Sequence, residues 1–277
     1  MTPEEYCQEK AAASGSSFYY SFLFLPPERR RAIVALYAFC REVDDVVDEC
    51  SDPSVARKKL EWWRGEISAT FSGHPEHPVG RALKEVVTQF NLPIELFFEI
   101  IDGMEMDLDQ IRYADFAALR LYCYRAASVP GLLSAEIFGF EDRKTLEYAK
   151  ELGLALQLTN IIRDVGEDAR RNRIYLPMDE MERFGVPASD ILHFRDSENF
   201  RKLMAFQIER ARSHYENAYH ALPDSDRKTQ KPGLIMAAIY SALLEEIAAD
   251  PGSVLHARTS LTPLRKIWIA WKTWRKK

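Results

Sequence analysis

Gln157-Leu158-Thr159-Asn160-Ile161-Ile162-Arg163-Asp164-Val165-Gly166-Glu167-Asp168 places apolar and acidic residues at helical spacing. On a helical wheel Gln157, Asn160, Asp164, Glu167 and Asp168 fall within about a 100° arc, while Leu154, Leu158, Ile161, Ile162 and Val165 lie on the other side. Asp164 and Asp168 stack one turn above the other, and unpaired carboxylates so placed repel each other and weaken their helix. A second segment, Asp44-Asp45-Val46-Val47-Asp48, repeats the arrangement about 120 residues upstream. There Tyr37, Arg41, Asp44 and Asp48 share about a 60° arc beside Ile33, Leu36, Cys40, Val43 and Val47, and Asp45 lies further round. An acidic stripe that borders an apolar face suits the lip of a pocket. Two such stripes facing each other need a strongly positive group between them, and Mg²⁺ commonly takes one or two carboxylates together with substrate phosphates. The pair of segments therefore predicts a Mg²⁺–diphosphate site.

The residues beside the aspartates fit that reading. Arg163 sits at the acidic edge, where its fork can pair with a carboxylate or grip a phosphate at two points. Gln157 and Asn160 offer amide oxygens to a cation or N–H donors to a phosphate. One acidic pair on a helix is more often a solvated face or a partner for Lys and Arg. Two pairs, each with an arginine and a half-apolar helix, shift the balance to a metal. Neither segment has the central glycine and terminal glutamate of an EF-hand loop. The chain carries no P-loop and no G-x-G-x-x-G, so neither Walker-type nucleotide binding nor a Rossmann cofactor is indicated. Its six histidines show no ligand-like grouping, and none is assigned to metal.

Around these segments the pattern is helical throughout. Helices are expected over about 28–50, 53–71, 77–90, 93–109, 114–139, 142–171, 197–221 and 232–249, with 172–196 a loop containing short helical turns. Pro130 should kink the 114–139 helix or break one of its backbone bonds. No stretch alternates with period two, so an all-α fold is predicted as a single domain over 1–277. The four cysteines have no CxxC spacing and read as thiols of a reducing compartment. The formal net charge is −5 and no basic stripe runs along the chain, which disfavours nucleic acid as a partner. The N-terminus lacks the pattern of a signal peptide, and no uncharged apolar run is long enough to span a bilayer. A cytoplasmic location is expected. Asp102, Glu105 and Asp107 form a third acidic cluster, which is read as structural.

Ser16-Ser17-Phe18-Tyr19-Tyr20-Ser21-Phe22, Tyr37-Ala38-Phe39-Cys40-Arg41-Glu42-Val43-Asp44-Asp45, Tyr122-Cys123-Tyr124 and the Gln157–Asp168 run resemble the squalene/phytoene synthase family over nearly the whole chain. Within it, Ala12-Ala13-Ser14-Gly15 and Phe22-Leu23-Phe24-Leu25-Pro26-Pro27-Glu28-Arg29-Arg30-Arg31 most resemble the presqualene diphosphate synthases of bacterial hopanoid biosynthesis. The resemblance implies a class I isoprenoid synthase bundle around a central cavity, with the acidic motifs facing each other. It implies head-to-head condensation of two farnesyl diphosphates to presqualene diphosphate, with release of one diphosphate. Asp44, Asp48, Asn160, Asp164 and Asp168 would hold Mg²⁺, for which Mn²⁺ could substitute, and no NADPH would be needed for this step. Arg41 and Arg163 would offset charge on the leaving diphosphate, and Tyr122 would stabilise the cation or handle the proton. Ser17, Phe18, Tyr37, Arg41, Gln157, Asn160, Arg163, Tyr240 and Arg258 match substrate-binding positions. Phe18, Ala126, Leu133, Ala155 and Leu156 are candidates for an apolar lining that keeps water from the cation.

Tyr124-Arg125-Ala126-Ala127-Ser128-Val129-Pro130-Gly131 departs from the Val-Ala-Gly-x-Val-Gly-like stretch of many relatives. That departure bears on pocket shape and chain-length preference. The alternatives on the same scaffold are squalene, dehydrosqualene and phytoene synthases. A catalytically silent scaffold protein is the rival of another class, and two self-repelling acidic faces argue against it. A downstream squalene-forming enzyme is an expected partner. The segment 263–277 is rich in tryptophan and basic residues, which suits an interfacial helix at the inner face of a membrane as well as a terminal helix packed on the bundle.

Overall fold

The computed structural model describes residues 1–13, 18–22, 24–50 and 52–275, without the side chains of Tyr19 and Tyr20. In chain order the helices are α1 (Pro3–Ala13), α2 (Phe18–Phe22), α3 (Pro27–Glu49), α4 (Pro53–Ser72), α5 (Pro78–Gln89), α6 (Ile94–Asp109) and α7 (Phe116–Cys123). After α7 come α8 (Val129–Phe138), α9 (Lys144–Arg170), α10 (Met178–Arg183), α11 (Ala188–Leu192), α12 (Glu198–Ala221), α13 (Lys231–Ala249) and α14 (Pro263–Arg275). Among the described residues there is no strand, only an isolated bridge between Arg112 and Ile174.

Local signals explain several helix ends. Pro27 and Pro53 occupy first-turn positions, where a missing N–H costs nothing. The Asp52 side chain caps α4 by accepting from the Ser54 N–H at 2.8 Å, and Asp115 and Ser197 do the same for α7 and α12. Gly73, at φ 89°, ends α4 in a conformation that only glycine adopts easily.

Two helices lie ahead of the first one the sequence pattern predicts. α1 has a weak apolar face, burying only Cys7 and Ala11, which hides it from a periodicity reading. Its start is nevertheless written in the chain as a capping box: Thr2 Oγ1 accepts from the Glu5 N–H, and Glu5 returns a carboxylate oxygen to the Thr2 N–H at 2.8 Å. The helix expected over 114–139 is divided. Tyr124–Ser128 forms a π-helical turn in which the Val129 N–H reaches the Tyr124 carbonyl, and Pro130 stands in the first turn of α8. Pro130 has no N–H to give to a preceding carbonyl, so the break falls where the proline predicts it.

The interior divides into two apolar clusters. One is built on α1, α3, α4, α5, α6 and part of α8, and the other on α7, α9 and α12–α14. Phe18 and Ala126 pack against both. A cavity of about 570 Å³ lies between the clusters, taking Ile33, Leu36, Ile100 and Met104 from one and Leu152, Leu156, Met236 and Leu243 from the other. α3 and α9 therefore present their acidic stripes from opposite cores. α13 is long and apolar enough to cross a membrane by composition, but half of it is buried against the bundle.

α9 is held by backbone contact at Gly166. A Cβ there would sit within 2.5 Å of the Val254 carbonyl oxygen and against that of Leu255. Gly65, on the exposed face of α4, has nothing within 4 Å of the same position. Gly166→Ala is therefore expected to destabilise the protein by about 1–3 kcal/mol through forced backbone movement. Gly65→Ala should stabilise it by about 0.5–1 kcal/mol, the ordinary gain in a helix. Urea denaturation of both variants gives the comparison, and equal effects would show that Gly166 is not a close-packing position.

Candidate active site

The cavity is lined by Phe18, Tyr37, Arg41, Asp44 and Asp48 from the first half of the chain. Further along the chain it is lined by Tyr122, Gln157, Asn160, Arg163, Asp164, Asp168, Tyr240 and Arg258. These are all the sequence-predicted site residues except Ser17, which falls outside the described residues. Of the five lining candidates, Phe18, Ala126 and Leu156 border the cavity. Leu133 and Ala155 do not: both are wholly buried, each inside one apolar cluster, where helix packing uses them fully.

Arginines hold the acidic stripes. Arg41 reaches Asp44 at 2.5 Å and also Asp45, and Asp45 is further held by Lys10 at 2.9 Å. Asp45 does not line the cavity, as its position on the wheel implies. Arg163 grips Asp164 with two N–H groups at 2.5 and 2.7 Å, and Arg258 donates to the same carboxylate at 3.0 Å. Arg171, just past the end of α9, reaches across to Asp48 at 3.1 Å and ties the two motif helices together.

The arginines do not remove the repulsion. Burial, with Asp48, Asp45 and Asp107 nearby, outweighs Arg41 and raises the Asp44 carboxyl to about 6. Burial, then Asp164 and Asp107, raise Asp168 to about 7. On the cationic side, burial and the nearby Arg163 and Arg258 push Lys266 below the ordinary lysine range. The cavity thus holds carboxylates and cations that are each crowded by their own kind.

A hard cation bearing a diphosphate would relieve both crowds. No three acidic, histidine or cysteine side chains converge as a closed cage among the described residues. Mg²⁺ does not require one, since it usually keeps substrate phosphates and waters in its shell. Asn160 supplies a further fit, because its Oδ1 is buried and accepts no hydrogen bond. Asp44, Asp48, Asn160, Asp164 and Asp168 could hold such an ion.

Asp107 corrects the reading of the third acidic cluster. Asp102 and Glu105 are structural as expected, paired with Arg64 at 2.6 and 2.9 Å near the surface. Asp107 sits about 140° around α6 from Asp102 and lines the cavity instead. Its carboxylate accepts from the Tyr122 hydroxyl at 3.0 Å and the Tyr175 hydroxyl at 2.8 Å. Burial raises Asp107 to about 6, with the two phenols and Arg173 opposing. Burial, then Asp107, push Tyr122 far above the usual phenol range, so Tyr122 remains protonated. Arg171, Arg173, Tyr175 and Lys266 also border the cavity, and no motif spacing pointed to them.

A carboxyl raised in the folded state stabilises the fold most below its unfolded pKa, near 4, and that contribution is lost as pH rises through its folded value. In metal-free protein, Asp168→Asn should therefore gain stability relative to the wild type as pH goes from 5 to 8, across the Asp168 value of about 7. Urea midpoints at the two pH values test this, and a pH-independent difference would contradict it.

A sequence model described as squalene/phytoene synthase matches residues 11–265. The 15-cis-phytoene synthase of Synechocystis sp. is 35% identical, with 96% of this chain and 84% of that protein covered. Phytoene synthase 2 of Solanum lycopersicum is 36% identical, with 94% and 86% covered. Among solved structures, the squalene synthase HpnC of Alicyclobacillus acidocaldarius aligns with a TM-score of 0.81 at 28% identity, covering 90% of this chain and 94% of that one. A dehydrosqualene synthase in complex with ligand aligns with a TM-score of 0.87 at 28% identity, covering 98% and 95%. With the helical bundle, the family match over most of the chain and these relatives together, the chain belongs to the squalene/phytoene synthase family.

Proposed function

We propose that the protein joins two allylic prenyl diphosphates head to head in a Mg²⁺-dependent reaction. The observation that carries this is the convergence of Asp44 and Asp48 with Asp164 and Asp168 on one cavity whose remaining walls are largely apolar. When bound, Mg²⁺ would neutralise the diphosphate and make it a better leaving group. Arg41, Arg163 and Arg258 would offset the charge that accumulates as the donor's C1–O bond breaks. The acceptor's C2–C3 double bond then attacks donor C1 and leaves a cation at acceptor C3. Loss of a proton from the former donor C1 closes the cyclopropane, and the acceptor keeps its diphosphate. Tyr122, hydrogen-bonded to Asp107, would take that proton on its oxygen while passing its own to Asp107. Leu152, Leu156 and Met236 would exclude water from the cation.

Two chain lengths have specific support. Farnesyl diphosphate going to presqualene diphosphate without NADPH is favoured by the residue 12–31 motifs. The solved structures at 28% identity are named for a squalene synthase and a dehydrosqualene synthase, which support those two alternatives on the same scaffold and not this product itself. Geranylgeranyl diphosphate going to phytoene is favoured by curated relatives at 35 and 36% identity, and named relatives weigh toward it. On the first reading a second enzyme would convert the cyclopropyl diphosphate onward to squalene.

Purified protein with Mg²⁺ and either farnesyl or geranylgeranyl diphosphate, with and without NADPH, followed by product analysis, separates these readings. A cyclopropyl diphosphate from the farnesyl substrate establishes the first, phytoene establishes the second, and no turnover at all supports a silent scaffold. Asp44→Asn and Asp164→Asn should each lower kcat by about two orders of magnitude or more while the protein remains folded. Near-full activity in either variant would remove that residue from the metal site. Tyr122→Phe keeps the ring and loses the hydroxyl. It should lower kcat by about 10²–10⁴ with KM little changed. Retained kcat would transfer the role of Tyr122 from proton handling to stabilisation of the cation by the ring.

A further inference from the structure

Trp274, on one face of α14, stacks on Phe24 with ring centroids 5.0 Å apart and takes the Lys231 ammonium over its ring. Ile269 and Ala270 are buried beside it. The face that adjoins Trp274, on the other side of the helix from Ile269, is left open. Leu264 is 80% exposed, Ile267 49%, Trp268 56% and Trp271 48%, and the four fall within about a 100° arc. Eleven large hydrophobic residues are exposed among the described residues; these four share one short helix and the others are scattered. Such a concentration on a single face marks a contact surface rather than ordinary surface apolarity.

The charge beside the stripe narrows what covers it. Residues 263–277 contain six Lys or Arg and no Asp or Glu, in a chain whose formal net charge is −5. Lys272 lies over the Trp268 ring at 4.8 Å and Arg275 over Trp271 at 4.8 Å, and neither makes an ion pair among the described residues. Arg265, on the same flank, is engaged by Glu246 at 2.5 Å. Tryptophan capped by lysine and arginine is the composition of a helix lying at the lipid–water boundary, the rings at headgroup depth and the cations toward anionic headgroups. At 13 residues α14 is about 20 Å long, too short to cross a bilayer, so it would lie in the plane.

We infer that the Leu264–Trp271 face of α14 docks the protein on an anionic lipid bilayer. Lys266 on this helix and Arg258–Leu261 just before it line the cavity, so docking would set the cavity beside the membrane. The docking surface stands apart from the proposed reaction; only its use in taking up and delivering prenyl chains rests on that reaction.

Cosedimentation of the full chain with vesicles of phosphatidylcholine and phosphatidylglycerol, against phosphatidylcholine alone, tests the inference. The wild type should bind the anionic vesicles, in a salt-sensitive manner. Trp268→Ser/Trp271→Ser should reduce that binding on the order of tenfold or more, and Lys272→Gln/Arg275→Gln should remove the preference for anionic lipid. Circular dichroism and turnover of detergent-dispersed substrate should be unchanged in both variants, which separates lost docking from lost folding or lost chemistry. No vesicle binding by the wild type, or equal binding by the tryptophan variant, would overturn the proposal. A wild-type dimer without lipid binding that the tryptophan variant dissolves would assign the face to a second copy instead.

Discussion

Electrostatic crowding in the cavity is the constraint on which the rest of the structure depends. Carboxylates on α3 and α9 point into a shared low-dielectric space, and their repulsion is only partly met by Arg41, Arg163, Arg171 and Arg258. Neutralising a crowded carboxyl such as Asp168 would relieve the resting protein at neutral pH but weaken the proposed receptor for a metal and a diphosphate. The raised carboxyls of Asp44 and Asp168 express this tension directly. Strain of this kind survives only where well-packed surroundings fix it in place.

Those surroundings are the two apolar clusters. Each motif helix is anchored in a different one, so neither acidic stripe can swing away without exposing core. Gly166 adds a backbone-to-backbone contact in the middle of the second motif, where a larger residue would lever α9 off the turn at Val254–Leu255. The glycine in the Asp164–Asp168 run thus has a packing reason that is independent of chemistry.

Much of this was legible in the chain. Periodicity alone separates Asp44 and Asp48 from Asp45, and the structure finds Asp45 turned away to Lys10 and Arg41. Pro130 announces the break between α7 and α8. That the two acidic faces meet was not legible from spacing, since contacts between distant segments leave no local periodic trace; the family resemblance supplied it. α1 was missed because its apolar face is two small residues, although its Thr2–Glu5 capping box is plain. Asp107 was missed because sequence proximity grouped it with Asp102 and Glu105. Its angular position on α6 and the two tyrosines that hold it, 15 and 68 residues away, become apparent only in three dimensions.

The π-helical turn at Tyr124–Ser128 also sets a phase. Upstream of it Tyr122 lines the cavity, and downstream Pro130, Gly131 and Ser134 do so. A wide turn carries one residue more than a regular one, which offsets everything beyond it by about 100°. Deleting a single residue here would let the α-helix run through and rotate α8 against the cavity wall while Tyr122 stayed with Asp107. Length at this point in the chain is therefore as much a determinant of cavity shape as the identity of the residues that face it.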